Sequence, residues 1–298
     1  MTTAPDLSAP APSRGALMWK QARAMFFAGP VTSLATIVMI LIVLMAIFAP
    51  LIAPHDPIRL NPAMRLKPPS DEYLLGTDAY GRDLLSRIIY GARISLAVGI
   101  GAAILSVVIG LAIGLVSGFF RGLDAVLMRI VDGLMAIPSI LLAIAIVALS
   151  GATLGTVLLA IVIPEVPRVV RLVRSVVLSA REEPYVEAAI SVGTPTSKIL
   201  TRHLLPNTIP PLIVQGTYIC AAAILTEAIL SFLGAGINPE TPTWGNIMAE
   251  GRVYFVINPG IILWPGLVLS LAILSVNLVG DTVRDALDPR MAKRGIDR

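Results

Sequence analysis

Charge is what this sequence has least of. Only 14% of its 298 residues are Asp, Glu, Lys or Arg, against roughly 25% in an ordinary soluble domain. In contrast, 56% are hydrophobic and the mean hydropathy is +0.83. No water-soluble interior hides that much apolar surface, so lipid is one of the solvents. Cysteine is nearly absent: a single residue, Cys220, lies in an apolar stretch. That excludes an internal disulfide framework and reads as a buried structural thiol. The two histidines, His55 and His203, are far apart in sequence and give no support to a metal site. Aromatics make up 5%, and no basic patch is interleaved with them as in a single-strand nucleic-acid binder. The net charge of +4 therefore reads as a membrane-orientation signal, with no nucleic acid expected as a partner. There is no Gly-x-x-x-x-Gly-Lys-Ser/Thr phosphate loop, no His-Glu-x-x-His and no Gly-x-Ser-x-Gly. The chain is thus not expected to be an enzyme, to carry catalytic residues or to hold a metal or cofactor of its own.

What is there is a series of long uncharged runs. A helix needs about 20 apolar residues to cross a bilayer core. Val31 to Ala53 carries no charge and is too long for a secretory signal core, so 31–53 is read as a first, retained transmembrane helix. It follows a leader, 1–30, rich in Ala, Pro and Ser and expected to be disordered at its start. Ile94 to Phe120 is the second run. Within it Gly110, Gly114 and Gly118, with Gly122 just beyond, recur every four residues. They mark one helix face where another helix can approach closely. Gly133 to Pro164 is too long for one span and breaks at Ser150-Gly151-Ala152-Thr153, with a fourth span over about Leu154 to Val173. Leu204 to about Gly234 and about Gly260 to Gly280 complete the count. The expectation is an all-α integral membrane protein with six transmembrane helices. Its segments are a periplasmic stretch over 54–92 holding an interfacial helix, a core over 93–280, and a cytoplasmic tail over 281–298.

Lys and Arg orient it. With the N-terminus inside, sixteen of the 23 lie in inner segments and seven in outer ones. This puts both termini in the cytoplasm.

The connection between the fourth and fifth spans, about 175–208, then faces inward. It reads Glu187-Ala188-Ala189-Ile190-Ser191-Val192-Gly193 and later His203-Leu204-Leu205-Pro206-Asn207. This resembles the EAA loop of binding-protein-dependent ABC importer permeases, with spacing that fits through Pro206. His203 stands where the general pattern has an apolar residue, as it does in the dipeptide and oligopeptide branch. Three further stretches resemble the C-type permease subunit of dipeptide, oligopeptide, nickel and glutathione importers. They are Leu75-Gly76-Thr77-Asp78-Ala79-Tyr80-Gly81-Arg82-Asp83 with its continuation to Arg93, Leu230 to Gly234 with Pro242-Thr243-Trp244-Gly245, and Gly280-Asp281 with Arg284 to Pro289.

The resemblance implies a type I ABC importer permease fold and an inner-membrane, multi-pass location. It implies a division of labour in which this chain and a second permease subunit form the pathway. Two ATPase domains use ATP and Mg, and a periplasmic or lipid-anchored binding protein delivers solute. In that scheme Glu187, Ala188, Ala189, Gly193, His203, Leu205 and Pro206 couple the spans to the ATPase. The small alanines permit close approach, Gly193 can end the helix in a left-handed cap, and Pro206 keeps the next helix from running back into it. On the outer side, Leu84, Leu85, Ile88 and Ile89 form an apolar stripe, with Asp83 and Arg87 able to pair at i,i+4. This reads as an interfacial helix that either contacts the binding protein or braces the helix tops. Asp78, Arg82, Asp83 and Trp244 are the candidates for that contact or for an outer gate, with Trp244 suited to an interface anchor. Glu165 is either a pathway contact or half of a structural pair with Arg168, and the related family region is not expected to carry it. Glu227 fits the family pattern and can hold a gate by hydrogen bonds between helices. Pro138, Pro164, Pro167 and Pro265 can bend spans. Di- and oligopeptides lead as solutes. An ion-coupled secondary carrier using Glu165 and Glu227, or a non-transporting membrane scaffold, are the rival readings.

Overall fold

The computed structural model of the chain describes residues 29–287; the expectations for most of the leader, for the end of the tail and for Asp288-Pro289 lie outside them. Within the described residues the chain is helical, and its one β-contact is an isolated bridge between Thr77 and Asp83. Helix α1, Pro30–Ile47, begins with a proline at its first turn and is followed by a short helix α2, Ala49–Ile52. Its outward residues, Val31, Leu34, Ile37, Leu41 and Leu44, are all apolar, as befits a helix surrounded by lipid.

Helix α3 runs unbroken over Leu84–Phe119. Its 36 residues make it about 54 Å long at 1.5 Å per residue, well beyond the bilayer core. This corrects the expectation of a separate interfacial helix before the second span: those residues are the first turns of α3. Leu84, Ile88 and Ile89 are buried against protein rather than lying on a membrane surface. An apolar stripe has the same periodicity whether lipid or another helix covers it. The expected Asp83–Arg87 pair is also absent, because Asp83 caps the helix, its Oδ2 accepting from the Ser86 amide at 2.9 Å and the Ser86 hydroxyl at 2.6 Å.

Helix α4, Arg121–Met135, and helix α5, Ser139–Ser150, meet at an 87° bend. Pro138 stands at that bend, where its missing N–H and ring end the first helix. Helix α6, Leu154–Arg181, starts from a Thr153 capping box and keeps Pro164 and Pro167 inside it. The glycine face packs against α6. A Cβ at Gly110, Gly114 or Gly118 would lie 2.5, 2.6 or 2.7 Å from the Cβ of Val169, Val173 or Val177 in turn, whereas Gly122 has nothing within 4 Å. Three rungs at i,i+4 on both helices therefore bring the backbones together, as small residues do in membranes.

After helix α7, Pro184–Ser191, the short helix α8, Thr196–Lys198, passes through a π-helical turn, Ile199–Leu204, into helix α9, Leu205–Phe232. Pro206 thus does not separate two helices, as the sequence implied. The wide π turn just before it, closed by the Leu205 amide on the Leu200 carbonyl, removes the clash a proline ring makes with the carbonyl four residues earlier. Helix α10, Trp244–Gly251, caps the end of the bundle opposite α7, and helix α11, Gly260–Leu287, follows it.

Four helical stretches are long and apolar enough to span alone: α1, α3, Thr196–Phe232 and Gly260–Ala286. The bent pair α4–α5 makes a fifth if it is one span. The expected count of six is not reached on length and apolarity, because α6 carries Glu165, Arg168, Arg171, Arg174 and Arg181 where the sequence reading placed and flanked its fourth span.

If the glycine face holds α3 to α6, Gly114→Leu overpacks the seam. Its folded, monodisperse yield in detergent should collapse, with a stability loss of about 1–3 kcal/mol or more. Gly122→Ala should leave thermal unfolding unchanged.

Candidate functional site

Two regions concentrate the candidate side chains, one at each end of the helices. At one end α7 stands out from the bundle. Val186 is its one buried residue, packed with Ala180, Ile199 and Leu204 in a cluster that includes the valine rungs of α6. Glu187, Ala188 and Gly193 are exposed and Ala189 is half-buried. The helix ends as Gly193 predicts: φ is +79°, the Gly193 amide donates to Ile190 O at 2.9 Å and the Thr194 amide to Ala189 O at 3.0 Å. That is a Schellman pair, which needs a left-handed residue at the position Gly193 holds. Ile190 is 46% exposed and Val192 86%, so the helix offers an uncovered apolar edge beside its carboxylate. His203 is half-buried, with its ring 6.2 Å from that of Tyr185. The Asn207 amide donates to Tyr185 Oη at 3.0 Å and to His203 O at 2.6 Å. Leu205 and Pro206 lie apart from α7, in the first turn of α9. Tyr185 was missed from sequence, and Asn207, the last residue of the quoted motif, was given no role there. Their spacing of 22 residues carries no periodic signal.

Arginines on α6 hold α4 at the same end. Arg174 makes two bonds to Asp124, each 2.6 Å, and Arg171 reaches Asp132 at 2.6 Å. The first is the bidentate geometry that guanidinium and carboxylate favour. Glu165 is buried and its Oε1 accepts from Arg168 Nη1 at 2.8 Å, so the pair expected at i,i+3 forms.

The opposite end is organised by charge. Arg82 Nε lies 2.6 Å from Asp78 Oδ2. Arg87 pairs with Asp78 as well and places Nη1 2.7 Å from Glu250 Oε2 on α10, which also pairs with Arg82. Asp78 and Arg87 are fully buried and Arg82 is 5% exposed. Trp244 is fully buried, its Nε1 donating to Ile88 O at 3.1 Å, and its ring lies against Gly91. Asp78, Arg82 and Trp244 therefore brace this end of the bundle. They are not an exposed contact, and Trp244 is not an interface anchor: its partners are protein groups. Asp83 is buried too, as the cap of α3. Glu227 is fully buried in α9. Its Oε1 accepts from Ser231 Oγ at 2.8 Å, and its Oε2 has no hydrogen-bond partner among the described residues. Glu250 was missed from sequence because it joins Arg82 and Arg87 across more than 160 residues. Among the described residues no group of three or more His, Cys, Asp and Glu is arranged to hold a metal ion.

With the geometry in place, comparison with known proteins assigns the chain. Solved structures of similar fold include a chain of the inward-facing MetNI methionine ABC transporter. The TM-score is 0.56 at 21% identity, over 69% of this chain and 98% of that one. The fold is therefore that of a type I importer permease. Residues 106–293 match the family described as binding-protein-dependent transport system inner membrane component. Residues 18–69 match the N-terminal transmembrane domain of oligopeptide transport permease C. Relatives include a probable peptide ABC transporter permease of Sinorhizobium fredii, 50% identical over 84% of this chain and 86% of that protein. A dipeptide transport system permease protein of Alkalihalophilus pseudofirmus is 42% identical over 92% and 90%. A glutathione transport system permease protein of Escherichia coli is 40% identical over 86% of each. The chain belongs to the binding-protein-dependent ABC importer permeases, in their C-type, peptide-transporter branch.

Because this charge cluster is buried, Asp78→Ala should leave Arg82 and Arg87 to share Glu250 as their acidic partner and cost up to about 3–5 kcal/mol, the scale for breaking a buried pair. The exposed Arg171→Ala should cost under about 1 kcal/mol. Thermal unfolding of the two variants in the same detergent compares them.

Proposed function

We propose that this chain forms half of the translocation pathway of an ATP-driven importer of di- or oligopeptides, with a second, related permease subunit as the other half. ATP and Mg belong to two ATPase domains outside the chain, and a binding protein delivers the solute. The names of the relatives, peptide, dipeptide and glutathione permeases, support a short peptide or a close analogue as the cargo. Both termini face the cytoplasm, which the distribution of Lys and Arg supports. Six crossings then follow, with the bent pair α4–α5 and the arginine-bearing α6 counted as the third and fourth.

The observation that carries the coupling role is the form of α7. It is a short helix anchored by one valine, closed by a left-handed glycine, and exposing Glu187, Ala188, Ile190 and Val192. A soluble ATPase groove can take such a helix, the small alanines letting its walls approach and Glu187 meeting a basic group. ATP-driven closure then moves α7 together with the end of α6 that it packs against, and alternating access follows at the spans. Glu227 and the braced outer cap serve as the outer gate in this scheme, and the Glu165–Arg168 pair is structural.

Replacing Glu187 and Gly193 together, Glu187→Ala with Gly193→Val, tests this. A β-branched residue at φ +79° is strained, by an amount on the order of 1–3 kcal/mol. Peptide uptake in proteoliposomes and co-purification of the ATPase subunits should both be lost, with membrane insertion retained. Normal uptake with normal ATPase docking would contradict the coupling role.

A further inference from the structure

Two neighbouring cavities at the outer cap share Pro54, His55 and Asp56. One, of about 510 Å³, is bordered by Asp56, Glu72 and Asp83 with Arg59 as its cation. The other, of about 790 Å³, has Pro50, Ile94, Ala97 and Pro242 in its walls and carries Arg93. Both volumes fall in the range of small-ligand sites, about 300–1,000 Å³.

Asp83 is left incomplete by the fold. It is 2% exposed, and capping α3 uses only Oδ2. Its Oδ1 has no hydrogen-bond partner, nor has Nδ1 of His55, which sits 3.6 Å from Oδ2. A buried carboxylate oxygen without a donor is costly, so a donor supplied from the cavity would be held there.

Arg93 lies ten residues further along the same helix. It is exposed and makes no ion pair among the described residues, and its guanidinium lies 6.0 Å from the centre of the Tyr90 ring. Side chains on a helix lean toward its N-terminus, so Arg93 leans toward the Asp83 end. The two positions are about 15 Å apart along the axis. Allowing for that lean, an extended peptide of roughly three residues covers the gap at about 3.3–3.6 Å per residue.

We infer that the two cavities together form a subsite for a small zwitterionic peptide, its ammonium among Asp83, Asp56 and Glu72 and its carboxylate on Arg93. The apolar walls take its side chains. This rests on the peptide-permease reading and goes beyond it, giving the permease its own recognition of both peptide ends. A zwitterionic phospholipid headgroup shares the same chemistry, and the test separates the two.

Trialanine, N-acetyl-trialanine and trialanine amide are titrated calorimetrically into the assembled transporter without its binding protein. The nanodiscs are prepared with and without phosphatidylethanolamine. Trialanine should bind in both, and each blocked peptide should bind at least about tenfold more weakly, the worth of a lost charge-assisted contact. Arg93→Gln should bind the free acid and the amide alike. Asp83→Asn, which preserves a good helix cap, should narrow the gap between the free and acetylated peptides, Asp56 and Glu72 still facing the cavity. Equal binding of all three peptides by the wild type, no binding, or binding abolished by phosphatidylethanolamine would overturn the proposal. Trialanine uptake with the binding protein present is measured in parallel. If uptake proceeds while the three peptides bind equally, the subsite alone fails. If no peptide is taken up, the peptide reading itself fails.

Discussion

The seam between α3 and α6 sets the frame on which the rest depends. Lipid tails are as apolar as leucine, so helices in a membrane gain little from hiding apolar surface and associate instead through close packing. Gly110, Gly114 and Gly118 remove the side chains that would hold the backbones apart, and Val169, Val173 and Val177, all fully buried, fill the space. Everything attached to α6 inherits that placement. Its arginines hold α4 through Asp124 and Asp132, and its last turn packs with the α7 anchor Val186. The exposed helix that would meet an ATPase is therefore fixed by contacts deep in the bundle.

The same α3 carries the outer cap. Its first turns supply Arg87 to the charge cluster and the Ile88 carbonyl to Trp244, while its last turns form the seam. One continuous helix thus joins the charge-braced end of the bundle to the end where α7 stands. Buried ion pairs are weak sources of stability but strongly resist losing one partner. The cluster of Asp78, Arg82, Arg87 and Glu250 accordingly holds α10 in a single position on the loop before α3. Asp83, the cap of α3, lies within this braced region and Arg93 just beyond it on the helix, so a ligand held between them would rest on rigid supports.

Much of this was legible in the sequence, for identifiable reasons. Glycines four apart share a helix face whatever covers it, so the seam could be read directly. Gly193 after an alanine-rich helix gave the left-handed cap. Glu165 and Arg168, three apart, gave their pair. What failed shares one cause: local pattern does not name the partner. The stripe of Leu84, Ile88 and Ile89 looks the same against lipid as against Trp244 and α10, so a buried helix start read as an interfacial helix. Trp244 read as an anchor for the same reason. Glu250 could not be found at all, because its partners lie on the far side of the sequence. Pro206 followed the rule that proline ends a helix, until a π turn absorbed it. The six-span count rested on uncharged runs. The 87° bend between α4 and α5 and the arginines of α6 depart from that simple scheme: Pro138 stands at the bend, and Arg168, Arg171 and Arg174 pair with Glu165, Asp132 and Asp124.

The central claim is that α7 is where this chain meets an ATPase. Site-specific photocrosslinking tests it most directly. A photoreactive residue is placed at Val192, 86% exposed beside α7, and in a second variant at Leu149, 88% exposed at the end of α5. In the assembled transporter, Val192 should crosslink to an ATPase subunit and Leu149 should not. Crosslinking from Leu149 with none from Val192 would contradict the account.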